Sequence, residues 1–238
     1  MANDEFMIPR RLINSDREET PRSLLDLIEQ GPFDLDTAAW WMSPGPGGIG
    51  KSTTMRSFLS VVPGDRAFAI AMPGEIPPLA DQKRCTIALE LSDHRPPGYL
   101  WDQDLRDFFD LSKAGHQLVG NVHADTVEET REQIVGACSV PEEQFHHINI
   151  IAFVWLEGYE RGQSRRIRDQ TSRRFLTSVY YTDGSGAHEQ VYSEGSGLSP
   201  NAPRDVEHEA KCRAFLEEAL GEASRDIDEL RERYLAWY

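Results

Sequence analysis

Gly45-Pro46-Gly47-Gly48-Ile49-Gly50-Lys51-Ser52 fits the pattern G-x-x-x-x-G-K-[ST] without adjustment, and Thr53 follows it. Glycines let backbone N–H groups curl around phosphate oxygens. A helix starting near Lys51 adds its positive end, and the lysine ammonium reaches the outer phosphates. The serine hydroxyl suits Mg²⁺. Gly45, Pro46, Gly47, Gly48, Ile49, Gly50, Lys51, Ser52 and Thr53 are therefore the expected nucleotide-binding set, with Ser52 also a metal ligand. Just upstream, Ala38-Ala39-Trp40-Trp41-Met42 is an apolar burst that reads as a buried strand running into the loop.

Working outward, Ser23 to Gly31 has helical spacing and a terminal glycine. Arg66 to Ala71 reads as a core strand, and the proline-rich stretch Met72 to Leu79 as a loop. Thr86 to Leu91 and Tyr99 to Trp101 are strand candidates separated by a turn. Leu105 to Ala114 reads as helix, Gln117 to Val122 as strand and Val127 to Ala137 as helix. Such alternation predicts an α/β fold with a mostly parallel, doubly wound sheet flanked by helices. The rhythm then changes. Ile148 to Leu156, Arg165 to Thr171, Phe175 to Tyr181 and His188 to Tyr192 predict a small antiparallel appendage over 148–192, with a turn at Asp183-Gly184-Ser185-Gly186. The expected organisation is a loose N-terminal segment 1–21, a P-loop domain 22–192, a linker 193–204 and a C-terminal amphipathic helix 205–238. The stripe of that helix is Leu216, Leu220, Ala223, Ile227, Leu230 and Tyr234.

The 238 residues carry 40 acids against 25 Lys and Arg, a formal charge of −15. Such a surface repels nucleic acids and anionic lipid and argues against general affinity for either. Lys51, Lys83, Lys113 and Lys211 are the only lysines, and an acidic, lysine-poor surface suits a salt-rich, halophilic cytoplasm. Cys85, Cys138 and Cys212 lie far apart with no CxxC pair, and His146-His147 has no third ligand nearby, so no zinc site is expected. No apolar run has the length of a signal peptide or a membrane span, and a cytoplasmic location is the expectation.

Beyond the loop, several stretches agree in order with one family. Asp26 to Gly31 followed by Thr37 to Trp40, Ser57 to Pro63, Pro97 to Arg106, Ala114 to Thr126 and Arg161 to Ile167 together resemble the secretion-superfamily ATPases, most of all the archaeal branch. These are the motors of type II and type IV secretion, type IV pili and archaella. Gly115-His116 and Asn121-Val122-His123-Ala124-Asp125 look very like the family's glycine-histidine and histidine-box segment, and Pro97 to Arg106 can be laid on its Walker B stretch. The resemblance implies ATP and Mg²⁺ as cofactors and hydrolysis to ADP and phosphate. It also implies a homo-oligomer, and docking at the inner face of a membrane on an embedded secretion or pilus component.

The same resemblance implies roles. Asp104 would hold Mg²⁺, Glu75 would polarise the attacking water and His123 would sense the γ-phosphate. Two departures stand out: Asp104 is one methylene shorter than the family's glutamate, and Glu75 stands alone where the family is rich in acids. Asp104 equally suits a helix N-terminus, Glu75 a solvated loop, and Arg161, Arg165 and Arg166 a solvated hairpin. Two other functions stay open, a degenerate nucleotide-binding regulator or assembly partner, and a small-molecule or nucleotide kinase. Pro46 stands where the partition ATPases place a lysine, and no Asn-Lys-x-Asp motif marks a GTPase.

Overall fold

A computed structural model describes residues 4–13, 22–43, 48–49, 52–95, 98–156 and 174–238. The expected strand over 165–171 and the arginines at 161, 165 and 166 lie outside the described residues, as do Gly45 to Gly47, Gly50 and Lys51. The chain opens with a short 3-10 turn at Asp4–Phe6 and the helix α1 (Arg10–Ile13). These residues were expected to be loose, but Ile8 and Leu12 are buried, because each is an apolar side chain packed into the core cluster that holds Met55, Leu59, Ile70, Ile87 and Val119.

Helix α2 (Leu24–Glu29) begins on a capping box in which Ser23 and Asp26 satisfy each other's backbone amides. Helix α3 (Leu35–Met42) corrects the strand expected over 38–42. Asp34 caps it by accepting the Thr37 N–H at 2.7 Å. Every residue from Thr37 to Met42 is buried, as befits a helix that is apolar all round. An apolar run of this length does not by itself distinguish helix from strand. Trp40 sends its Nε1–H to the Pro203 carbonyl at 2.8 Å, and Trp41 stacks on Phe58 with ring centres 4.5 Å apart.

The central strand is therefore not upstream of the glycine-rich motif but inside it. Strand β1 (Gly48–Ile49) pairs in parallel with two neighbours, and helix α4 (Ser52–Leu59) starts three residues beyond it. Strands β2 (Ala67–Ala71) and β3 (Arg84–Ala88), helix α5 (Asp102–Asp110) and strand β4 (Gln117–Gly120) follow. Tyr99 to Trp101 is not a strand. Leu100 makes a single bridge to Leu91, since Gly98 at φ +84° turns the chain just before it. Helix α6 (Val127–Arg131) passes into a π-helical stretch at Glu132–Ala137, and α7 (Glu142–Phe145) leads to β5 (Ile150–Leu156).

Strands β6 (Arg174–Tyr181), β7 (Glu189–Ser193) and β8 (Gly197–Leu198) complete one eight-stranded sheet of order β2-β3-β4-β1-β5-β6-β7-β8. From β2 to β5 all pairing is parallel, and from β5 to β8 it is antiparallel. Two boundaries move as a result. Strand β5, placed in the appendage by its sequence, belongs to the parallel half through its Ile49–Ile151 pairing. The expected linker supplies β8, whose Gly197 pairs with Ser193 across a turn with Gly195 at φ +79°. The single C-terminal helix is two, α8 (Val206–Gly221) and α9 (Ile227–Trp237). Asp226 starts the second by accepting N–H bonds from Asp228 and Glu229, which breaks a stripe that sequence periodicity carries straight through.

Side chains alternate across the sheet. Ile150, Ala152 and Val154 join α2, α3 and α8 in one cluster, while Ile151 and Phe153 join α5 and α7 on the opposite face. Helix α4 contributes Phe58 to the first cluster, and Met55 and Leu59 to a third with β2, β3 and β4. The sheet thus lies between two helical layers, as an α/β fold requires.

Candidate functional site

Parallel strands leave their ligand site at the carboxyl edge, where connecting loops diverge around a switch in strand order. Here β1 connects through α4 to β2 at the sheet's end, β3 and β4 return toward it, and β5 lies on its other side. The carboxyl ends of β1, β3 and β4 therefore define one edge with Ser52 at the start of α4 beside it.

Two residues beyond β3, Glu90 is largely covered, its Oε2 shielded from solvent and without a hydrogen-bond partner. Three residues beyond β4, His123 brings Nε2 to 3.6 Å from that oxygen. Burial raises the carboxyl's pKa, and the positive fields of His123 and of Arg56, one turn into α4, pull it partly back. A carboxylate whose pKa is raised by desolvation, with a guanidinium and an imidazole facing it at a sheet edge, is the arrangement expected of a proton acceptor. The signal for it in the sequence is the run Cys85-Thr86-Ile87-Ala88-Leu89 ending in an acid, a strand pointing a carboxylate out of its carboxyl end. The family alignment over Pro97 to Arg106 draws attention away from it.

His123 itself is exposed, with Tyr99 stacked alongside at a ring separation of 6.3 Å, and its carbonyl accepts from Gln133 Nε2 at 2.7 Å. The residues that follow cap α6, as their sequence predicts: Thr126 accepts the Glu129 N–H at 3.0 Å and Glu129 accepts the Asp125 N–H at 2.7 Å. His116 is a different case. It enters β4 at the amino edge, buried, with Nδ1 accepting the Arg84 N–H at 3.1 Å, and burial together with Arg84 and Arg66 lowers its pKa. It is a neutral packing residue, remote along its strand from the carboxyl edge.

Asp104 does not end a strand; it lies in the first turn of α5, where its Oδ2 accepts the Gly74 N–H at 3.1 Å. Gly74, at φ +74°, and Pro73 form the tip of a two-residue hairpin closed by reciprocal Met72–Glu75 bonds of 2.8 and 3.2 Å. Glu75 is exposed on that hairpin. Pro73, Gly74, Tyr99, Trp101 and Asp104, with Arg95, line a cleft of about 400 Å³. The structure thus joins Asp104 to the hairpin that carries Glu75, reaches His123 through Tyr99, and pairs His123 with Glu90 rather than with either predicted acid.

Of the nine expected nucleotide-binding residues, the described backbone shows Gly48 and Ile49 taken into the sheet against Val119, Gly120 and Ile151. Ser52 and Thr53 open α4, whose first amides have no partner within the helix and give it a positive end. Among the described residues no three His, Cys, Asp or Glu side chains gather to hold a metal ion, and no helix is long and apolar enough to cross a membrane.

No protein-family model matches the chain, and no curated protein matches it. Among solved structures it is similar to the VirB11 ATPase of the Brucella suis type IV secretion system, crystallised with sulphate, at 14% identity and a TM-score of 0.36. The match takes in 69% of this chain and 64% of that one, so the chain spans less than two thirds of the protein it is compared with.

Proposed function

We propose that the chain binds ATP at the carboxyl edge of its parallel strands and hydrolyses it to ADP and phosphate, in the manner of a minimal secretion-superfamily ATPase. The observation that carries the reading is the pairing of Glu90 with His123 at the ends of β3 and β4, within the field of Arg56 from α4. The free amides at the start of α4, with Lys51 just before it, favour phosphate there. Ser52 would hold Mg²⁺, which neutralises charge on the β- and γ-phosphates. Glu90 takes the proton of a water as its oxygen bonds to the γ-phosphorus and the bond to the β-γ bridging oxygen breaks, releasing ADP. A raised carboxyl pKa strengthens that proton acceptor, and His123 offers a ring N–H to the leaving phosphate. Assembly into an oligomer and docking on a membrane-embedded secretion or pilus component belong to the same proposal, and turnover that rises with protein concentration is the expected sign of the first.

A second reading, nucleotide held without turnover, is favoured by one observation. Gly48 and Ile49 are paired into the sheet, so a phosphate cradle drawn from the whole motif has to release them first. One experiment separates the two: ATP binding and phosphate release in low and molar salt for the wild type, Lys51→Ala, Glu90→Gln and Asp104→Ala. Lys51→Ala is expected to lose binding. Glu90→Gln should bind as wild type but release phosphate about 100-fold more slowly, and Asp104→Ala should keep most of its turnover. Binding without release by the wild type in any salt sinks hydrolysis in favour of the second reading. A loss in Asp104→Ala as deep as in Glu90→Gln would return the catalytic carboxylate to α5.

A further inference from the structure

Strand β3 stops at Ala88, so the regular ladder no longer holds the chain at Glu90. Asn121, the residue after β4, takes over. It is 3% exposed, and its Nδ2–H donates to the Leu89 carbonyl at 2.7 Å while its own backbone carbonyl accepts the Leu91 N–H at 2.7 Å. The residues on both sides of Glu90 are thereby tied to one neighbour, and the Leu100 N–H closes on the Glu90 carbonyl at 3.0 Å. The Glu90 backbone is held on three sides, and its carboxyl oxygen lies 3.6 Å from His123 Nε2 at the carboxyl edge. The Asn121 Oδ1 is itself buried without a hydrogen-bond partner, an outcome that a residue kept only for its fit would avoid.

Resting on the reading of Glu90 as proton acceptor, we propose that Asn121 is a positioning residue: by bracketing Glu90 through Leu89 and Leu91 it aims the carboxylate at the carboxyl edge. The backbone half of this bracket is common to any residue, and the side-chain amide supplies the Leu89 half. A carboxylate in its place would set oxygen against the Leu89 carbonyl oxygen, and a methyl would leave that carbonyl unpaired. Two titratable groups face Glu90, His123 from beyond β4 and Arg56 from α4, and neither is altered chemically by a substitution at residue 121.

The test is the titration of the Glu90 carboxyl by NMR of ¹³C-labelled glutamate, assigned by its loss in Glu90→Gln, in the full chain with Asn121→Ala and with the isosteric Asn121→Asp. Phosphate release and ATP affinity are measured beside it. Asn121→Asp is expected to raise the Glu90 titration by about one pH unit, and Asn121→Ala to move it back toward the ordinary glutamate value as the side chain gains water. Both should lower kcat about 10-fold with ATP affinity held within about twofold. A Glu90 titration unmoved in both folded variants overturns the proposal, whether or not the protein turns over ATP. If the wild type releases no phosphate, or Glu90→Gln releases it as fast, the hydrolytic reading fails and the titration still decides Asn121. If Glu90→Gln is dead while both Asn121 variants match the wild type in kcat and titration, positioning fails alone.

Discussion

Arg231 on α9 is fully buried, and no carboxylate pairs with it among the described residues. Its Nε–H donates to the Phe6 carbonyl at 2.9 Å and its Nη1–H to the Val62 carbonyl, while the guanidinium sits 5.1 Å from the centre of the Phe68 ring. One side chain thus joins the N-terminal segment, the turn after α4 and the edge strand β2. Burial pulls its pKa down to about 10, a drop that corresponds to about 3 kcal/mol of unfavourable burial. Against it stand two charge-assisted hydrogen bonds of about 1.5–3 kcal/mol each and a cation–π contact of about 1 kcal/mol, while Nη2, buried without a hydrogen-bond partner among the described residues, takes back about 1 kcal/mol. The head group is therefore net stabilising by about 1.5 kcal/mol. Arg231→Met keeps most of the volume and removes the head, so it should lose about that amount in equilibrium urea unfolding with an unchanged slope, or about 3–6 °C of Tm. Arg231→Ala adds a cavity and should lose about 4 kcal/mol. A methionine variant as stable as the wild type, or more so, would refute the reasoning, since the charge would then cost more than its bonds return.

Two further outcomes follow. The raised pKa of Glu90 means that the folded protein holds its proton more tightly than the unfolded chain. Stability from this group is complete below the unfolded glutamate pKa and is lost as pH rises through the folded value. Glu90→Gln should therefore be more stable than the wild type at pH 7 and equal to it near pH 4, as thermal unfolding across that range will show; a gap that widens toward acid would contradict the assigned direction. Asp34→Ala removes the α3 cap and should cost about 1 kcal/mol with faster amide exchange confined to Leu35–Met42. Exchange that instead stays uniform there would question the helix.

The α/β alternation, the strands β2, β3, β4 and β6, and the helices α2 and α5 were legible in the sequence, because each carries its own periodicity or terminal glycine within a few residues. The sequence also places a histidine at 123 just past a strand, and β4 ends three residues before it. Local information of that kind does not say which apolar run is which. Ala38 to Met42 is taken into a helix that Asp34 caps and that packs in one apolar cluster with β5, β6 and α8. The break between α8 and α9 rests on the capping oxygens of Asp226 against a stripe that continues in phase.

The glycine-rich motif shows the same division most plainly. Its sequence determined the residue types it carries, glycines, a lysine and a serine, from which phosphate and Mg²⁺ binding is an expectation. Only the tertiary structure decided that two of its residues are the central strand, because β4 and β5 lie on either side of Gly48 and Ile49 and pair with them. The acid that faces this edge was likewise settled by packing. Glu90 and His123 stand 33 positions apart in the chain and meet because β3 and β4 are neighbours in the sheet, with burial, a property of the fold and of no single residue, setting the carboxyl's affinity for a proton.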